Sequence, residues 1–284
     1  MPYIQVRGVP HYYEWIKKSS SIANKPVMVF VHGWGGSARY WESTANLLSE
    51  TFDCLLYDLR GFGRSQLPQQ PTGLSYEMED YAEDLAILLD SLELSRVYIN
   101  AHSLGASAAT MFLNRYRERV EQAILTCSGV FEYEEKSFSA FHKIGSYVVS
   151  FRPRWFLKIP FAEGLFMKRF LYRPLPTALS RAFLEDYLDA DYEAALGTML
   201  TAVSKYASEV MPREFAQLSV STLLVSGEHD QIIPPALGRK AAQLNERVNY
   251  CEIPNTAHFP MLEAPEVYLE KVCKFLGIAY PVKI

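Results

Sequence analysis

No run of about eighteen uncharged apolar residues occurs in the chain, so no segment reads as a membrane-spanning helix. Cysteine is sparse. Cys54, Cys127, Cys251 and Cys273 lie far apart in apolar stretches, without C-x-x-C spacing. That excludes a disulfide frame and a zinc ribbon, and reads as reduced core cysteine. Positive charge is not in excess: the net charge is −4, which provides no general attraction for nucleic acid. The opening Met1-Pro2-Tyr3-Ile4-Gln5-Val6-Arg7 lacks the basic-then-apolar order of a signal peptide, which points to a cytoplasmic protein. With 15 Gly and 16 Pro, the composition is neither collagen-like nor low-complexity, and no internal repeat is visible. What is present is 49% apolar residues on 284 positions, enough for a sizeable core and a length that one large α/β domain can fill.

Two short strands, about Tyr3 to Arg7 and Tyr12 to Ile16, are expected to form a hairpin through Gly8-Val9-Pro10. Continuous apolar runs then follow, of the kind that suits strands buried on both faces: Val27–Val31, Cys54–Tyr57, Val97–Ile99, Ala123–Thr126 and Leu223–Val225. A last run, Val248–Ile253, alternates more and reads as near an edge. Met78, Tyr81, Ala82, Leu85, Leu88, Leu89 and Leu92 repeat at helical spacing, and Leu104 to Arg119 opens on small residues that let a helix lie close to a sheet. Pro265 starts a final helix that Gly277 ends. Strands alternating with helices predict an α/β fold: a mostly parallel eight-stranded sheet with helices on both faces. Residues 131–210 interrupt the alternation and are expected to form a helical cap between two halves of one core, 1–130 and 211–284.

The chemistry concentrates at four strand ends. Ala101-His102-Ser103-Leu104-Gly105 places a serine between a strand and the small-residue helix, with small neighbours two before and two after it. A serine hydroxyl is a weak nucleophile and needs a base, which needs an orienting carboxylate. Asp230 follows the strand Leu223–Val225 and His258 follows Val248–Ile253, both at the strand ends where open α/β sheets place ligands. His32-Gly33-Trp34-Gly35-Gly36 follows Val27–Val31; the N–H groups of Trp34 and Leu104 form a natural pair of donors for a developing oxyanion. Together with Asp58-Leu59-Arg60-Gly61-Phe62-Gly63-Arg64-Ser65, these motifs resemble the α/β-hydrolase superfamily, in its serine esterase and lipase-like branch. The resemblance covers nearly the whole chain and is weakest in the cap. It implies a Ser103-His258-Asp230 triad that cleaves a lipophilic carboxylic ester. Ala101, where the family usually has glycine, is a mild departure.

Competing assignments stay open at several positions. Glu228 rivals Asp230 as the acid, and the site after Ala123–Thr126 holds no acid before Glu132. His32 and His102 are expected to brace loops, and Asp58 with Arg60 to form a structural ion pair. The same family also supplies thioesterases, amidases, C–C hydrolases and acyl transfer, and the fold can serve as a ligand receptor. No His/Cys/Asp cluster has metal-ligand spacing, and the G-x-G-x-x-G pattern is absent, so neither a metal nor another cofactor is expected. Between Lys136 and Arg173 stand eight Lys/Arg, one acid (Glu163) and ten aromatic residues. Phe156, Phe161 and Phe166 are the expected substrate-facing rings. Two readings of this segment remain: a lid packed on the core with solvated cations, and a lid that also meets a membrane surface peripherally.

Overall fold

The structure, a computed structural model, describes residues 2–18 and 24–280; Met1 and residues 281–284, the outermost positions of the expected core, lie outside it. Among the described residues eight strands form one sheet in the order β1-β2-β4-β3-β5-β6-β7-β8. They are β1 (Tyr3–Val6), β2 (Val9–Ile16), β3 (Val27–Val31), β4 (Asp53–Tyr57), β5 (Val97–His102), β6 (Val120–Thr126), β7 (Thr222–Gly227) and β8 (Val248–Ile253). β1 runs antiparallel to β2, and β2 to β4; every other pairing is parallel. The expected mostly parallel sheet is the one observed, with β8 at its edge.

Helices α1 (Glu42–Leu48), α2 (Met78–Ser91) and α3 (Leu104–Arg115) connect the first strands. Between β6 and β7 lie α4 (Glu135–Ser150), α5 (Ala162–Met167), α6 (Thr177–Asp189), α7 (Tyr192–Ala202) and α8 (Lys205–Gln217). The chain ends through α9 (Pro235–Ala242), α10 (Pro260–Glu263) and α11 (Pro265–Leu276), the last closed by Gly277 in the left-handed region. Side chains alternate across a strand, so each buried strand feeds two cores. Val29, Val31, Leu55 and Tyr57 pack with α2 and α3 on one face. Met28, Phe30, Cys54 and Leu56 pack with α1 and α11 on the other.

Three boundaries differ from expectation. The first hairpin turns at Arg7-Gly8, both with positive φ (50° and 84°), and pairs Val6 with Val9, so Val9 and Pro10 belong to β2. A two-residue turn of that kind matches the twist of the strands it joins. Helix α3 stops at Arg115, and a short 3-10 turn, Arg117–Arg119, leads into β6. Helix α8 crosses residue 210, the expected end of the cap, and continues through Pro212. Its Met211 and Phe215 enter the core built by α2 and α3, and that burial carries the helix past the proline.

Candidate active site

Ser103 stands between β5 and α3 with φ 53° and ψ −120°. A residue with a Cβ is rarely found there, and such strain persists only where the surroundings over-determine it. The surroundings do so. Ser103 N–H donates to Thr126 O (2.8 Å), and its own carbonyl accepts from Ala106 and Ser107 N–H (2.9 and 3.1 Å). A Cβ at Gly105 would collide with the His32 carbonyl oxygen, so glycine there is what lets α3 start against β3. Ala101 is fully buried and still fits between Val31 and Leu125.

The folded chain brings the distant histidine and aspartate to this serine. His258 Nε2 lies 3.0 Å from Ser103 Oγ, and His258 Nδ1 lies 2.7 Å from Asp230 Oδ2. With the carboxylate accepting at Nδ1, that nitrogen carries the proton and Nε2 presents its lone pair to the serine hydroxyl. The second Asp230 oxygen accepts from the N–H groups of Ile232 (2.7 Å) and Ile233 (3.0 Å). Burial alone would raise the Asp230 carboxyl. The facing His258 and these two donors outweigh it and hold the group below the usual carboxylate value. Glu228, the rival acid, is exposed and accepts instead from Asn255 N–H at 2.8 Å.

The loop after β3 lies against the serine: a Cβ on Gly33 would sit 3.0 Å from Ser103 Cβ. Gly36 N–H closes its turn on Gly33 O (3.4 Å), which leaves Trp34 N–H outside the closing bond. Leu104 N–H is the first of α3, and a helix's first N–H groups have no partner within the helix. Fully buried His32 braces this loop as expected: Nδ1 faces Gly33 O (2.8 Å) and Nε2 accepts from Leu59 N–H (2.8 Å). Asp58 and Arg60 do not pair with each other. Asp58 binds Arg64, at 2.7 Å from Nε, and Arg60 binds Asp84 of α2, also at 2.7 Å. Gly61 and Gly63, with φ of 81° and 53°, fold Arg64 back onto Asp58 and leave Arg60 aimed at α2.

Three residues absent from the expected site shape it. Tyr40 hydroxyl accepts from Gly33 N–H and lies 2.9 Å from His102 Nδ1, while His102 Nε2 lies 2.7 Å from His258 O. A carbonyl can only accept, so His102 Nε2 is protonated and Tyr40 donates to Nδ1. Burial, and then the neighbouring His258, push His102 well below the usual imidazole value, which keeps it neutral and this direction of bonding intact. Buried Glu263 accepts from Ala257 (2.9 Å) and Phe259 (3.2 Å) N–H with one oxygen, and from Tyr172 (2.7 Å) and Arg173 (2.9 Å) N–H with the other. It therefore clamps the His258 loop to the segment after α5. Phe170 O accepts the His258 N–H at 2.9 Å, and the Phe170 ring lies 6.3 Å from the imidazole. A sequence signal existed only for Glu263, an acid inside the apolar run Pro260-Met261-Leu262-Glu263-Ala264.

Of the three expected substrate-facing rings, Phe166 packs on Tyr187 (4.8 Å between centroids) and Phe170 (5.7 Å). Tyr187 in turn meets Trp34 at 6.0 Å, so Trp34, Tyr187, Phe166 and Phe170 form an aromatic roof leading to His258. Phe156 packs with Phe151 and Trp155, and also against the Leu184, Tyr187 and Leu188 cluster that Trp34 and Phe166 meet. Phe161 is 83% exposed and does not face the site: it starts α5 in the left-handed region (φ 63°), which turns its side chain to solvent. The donor atoms of His102, Cys127 and His258 lie within 4.8 Å of one another, a grouping that invites a metal. The chemistry does not fit one. Each ring nitrogen already has a hydrogen-bond partner, and burial pushes the Cys127 thiol well above its usual value, against the thiolate a metal needs.

A family model described as the alpha/beta hydrolase fold matches residues 26–265. The chain is 24% identical to the 2-(acetamidomethylene)succinate hydrolase of Mesorhizobium japonicum, over 88% of each sequence. It superposes on a thermophilic esterase from Thermogutta terrifontis with a TM-score of 0.76 at 21% identity, covering 97% of this chain and 98% of that one. It superposes equally well, at TM-score 0.76 and 23% identity, on the enol-lactonase from Burkholderia xenovorans LB400, covering 97% of this chain and 100% of that one.

Proposed function

Because the chain belongs to the alpha/beta hydrolase fold family, we propose that it is a serine hydrolase that cleaves a lipophilic carboxylic ester through an acyl-enzyme. The observation that carries this reading is the run of two hydrogen bonds, Asp230 to His258 Nδ1 at 2.7 Å and His258 Nε2 to Ser103 Oγ at 3.0 Å. Ser103 Oγ attacks the ester carbonyl carbon while its proton passes to His258 Nε2. Negative charge that builds on the carbonyl oxygen is met by the N–H groups of Trp34 and Leu104. His258 then gives the proton to the departing alcohol oxygen, and Asp230 stabilises the imidazolium in between. In the second half, His258 takes a proton from water, the resulting nucleophile attacks the acyl-Ser103 carbonyl, the bond from the acyl carbon to Oγ breaks, and His258 returns the proton to Ser103 as the acid leaves.

The hydrolase and esterase names of the relatives and neighbours support the reaction class, and the aromatic roof supports an apolar acyl group. The test is Ser103→Ala in purified protein, with esters as substrate and a serine-reactive phosphonate as titrant. Ester turnover is expected to fall about a thousandfold or more, and phosphonate labelling to disappear, with the fold intact by circular dichroism. Retention of more than roughly a tenth of the activity would remove Ser103 from the mechanism.

A further inference from the structure

Helix α4 buries Phe138, Gly145 and Val149, and Gly145 lies directly on Met199 of α7. Its apolar residues do not end with that face. Ile144, Tyr147 and Phe151 step along the helix by three and four residues on an outward side, and Trp155 continues the line at 6.5 Å from Phe151. In α5, Leu165 also points outward while the adjacent Phe166 joins the roof over His258. Ile144 is 64% exposed, Tyr147 68% and Leu165 77%. Scattered apolar residues on a surface need no explanation, but a connected stripe of this kind does.

Charge selects among the surfaces that could cover it. Lys143, Lys158, Lys168 and Arg169 are exposed along the same segment, and among the described residues none of them forms an ion pair with an acid. Residues 136–173 carry eight basic side chains and one acid on a protein of net charge −4. A second copy docked face to face on the stripe would set these cations against themselves, at a Coulombic disadvantage. An anionic bilayer offers what the stripe lacks on both counts, an apolar layer for the rings and headgroup charge for the lysines.

We infer that the α4–α5 face docks on an anionic lipid surface, with Ile144, Tyr147, Phe151, Trp155 and Leu165 entering the interface. The inference goes beyond the ester chemistry proposed above, and its readout is binding, so either can fail without the other. Purified protein is floated with vesicles of phosphatidylcholine alone, or of phosphatidylcholine with an equal part of phosphatidylglycerol, at low and high salt. Wild-type protein is expected to partition onto the anionic vesicles, and high salt to weaken this, because the Debye length shrinks to about 3 Å at 1 M. Lys143→Glu with Lys168→Glu is expected to lower anionic partitioning by roughly tenfold or more. Arg152, which donates to the Tyr187 (3.0 Å) and Ala190 (2.8 Å) carbonyls, is left alone because it braces the fold. Ile144→Ser with Leu165→Ser is expected to lower partitioning by a similar factor through the apolar half of the contact. Both pairs should keep wild-type turnover of a short soluble ester and wild-type circular dichroism, which controls for misfolding. Absence of binding overturns the inference, as does equal binding to neutral vesicles that ignores the charge reversal. A dimer that Ile144→Ser with Leu165→Ser dissolves, with no vesicle binding, would assign the stripe to a second copy and overturn it as well.

Discussion

Ser103 carries a backbone strain of order 1–3 kcal/mol, and the bonds to Thr126, Ala106 and Ser107 hold it there. Two acids compete on paper for the histidine that serves it, and their surroundings separate them. Asp230 is buried, with three partners shared by its two oxygens: the Ile232 and Ile233 N–H groups and the His258 ring. Glu228 stands in solvent, bonded to Asn255 N–H. Asp230→Asn is therefore expected to lower ester turnover on the order of a thousandfold, because an amide cannot stabilise an imidazolium and leaves the wrong tautomer favoured. Glu228→Gln is expected to stay within about threefold of wild type, as surface substitutions do. Steady-state kinetics on both variants decide the matter, and equal damage would return Glu228 to consideration.

Helix α5 and the residue that caps it hold two phenylalanines in two environments, although only four residues separate them. Phe161 starts the helix and points to solvent, whereas Phe166 lies against Tyr187 and Phe170. An acyl chain growing out from Ser103 beneath the roof gains about 0.8 kcal/mol for each methylene it buries. Turnover of esters of graded chain length is expected to rise with length in the wild type. Phe166→Ala should flatten that rise, lowering kcat/KM for the long esters by roughly tenfold if two methylenes lose their cover. Phe161→Ala should leave the profile as it is. A wild-type profile that is flat from the two-carbon acyl group onward would mean that the roof packs only on itself.

At the scale of the whole molecule, burial more than any other cause lowers His11, His32 and His102 below the ordinary 6.5. The unfolded chain then binds protons that the folded one refuses, between the folded values and 6.5. Their share of the stability is complete above that value and shrinks as the pH falls below it. Asp186, whose carboxyl burial raises, opposes the trend only in its own window upward from 3.8. Urea midpoints measured from about pH 7.5 down to about pH 5.5 are expected to decline steadily, and His102→Gln to lessen the slope. A level midpoint across that interval would show that these rings gain protons without loss of fold.

The sequence by itself determined the parallel sheet, because strands buried on both faces must be continuously apolar and Val27–Val31 or Ala123–Thr126 can be little else. It also placed Ser103 at the turn between a strand and a helix, since such a turn needs small neighbours, and local spacing records that need. That Asp230 and not Glu228 bonds the His258 ring, the pairing of Asp58 with Arg64 and of Arg60 with Asp84, and the outward turn of Phe161 were decided only by tertiary structure. So were the Tyr40–His102 relay and the Glu263 clamp, whose partners lie 62 and about 90 residues away in the chain. The physical reason is one of range. Burial periodicity and turn geometry act over a few residues and leave a pattern in the order of the amino acids. A hydrogen bond depends on where two backbones meet, and only the packed sheet and its helices set that.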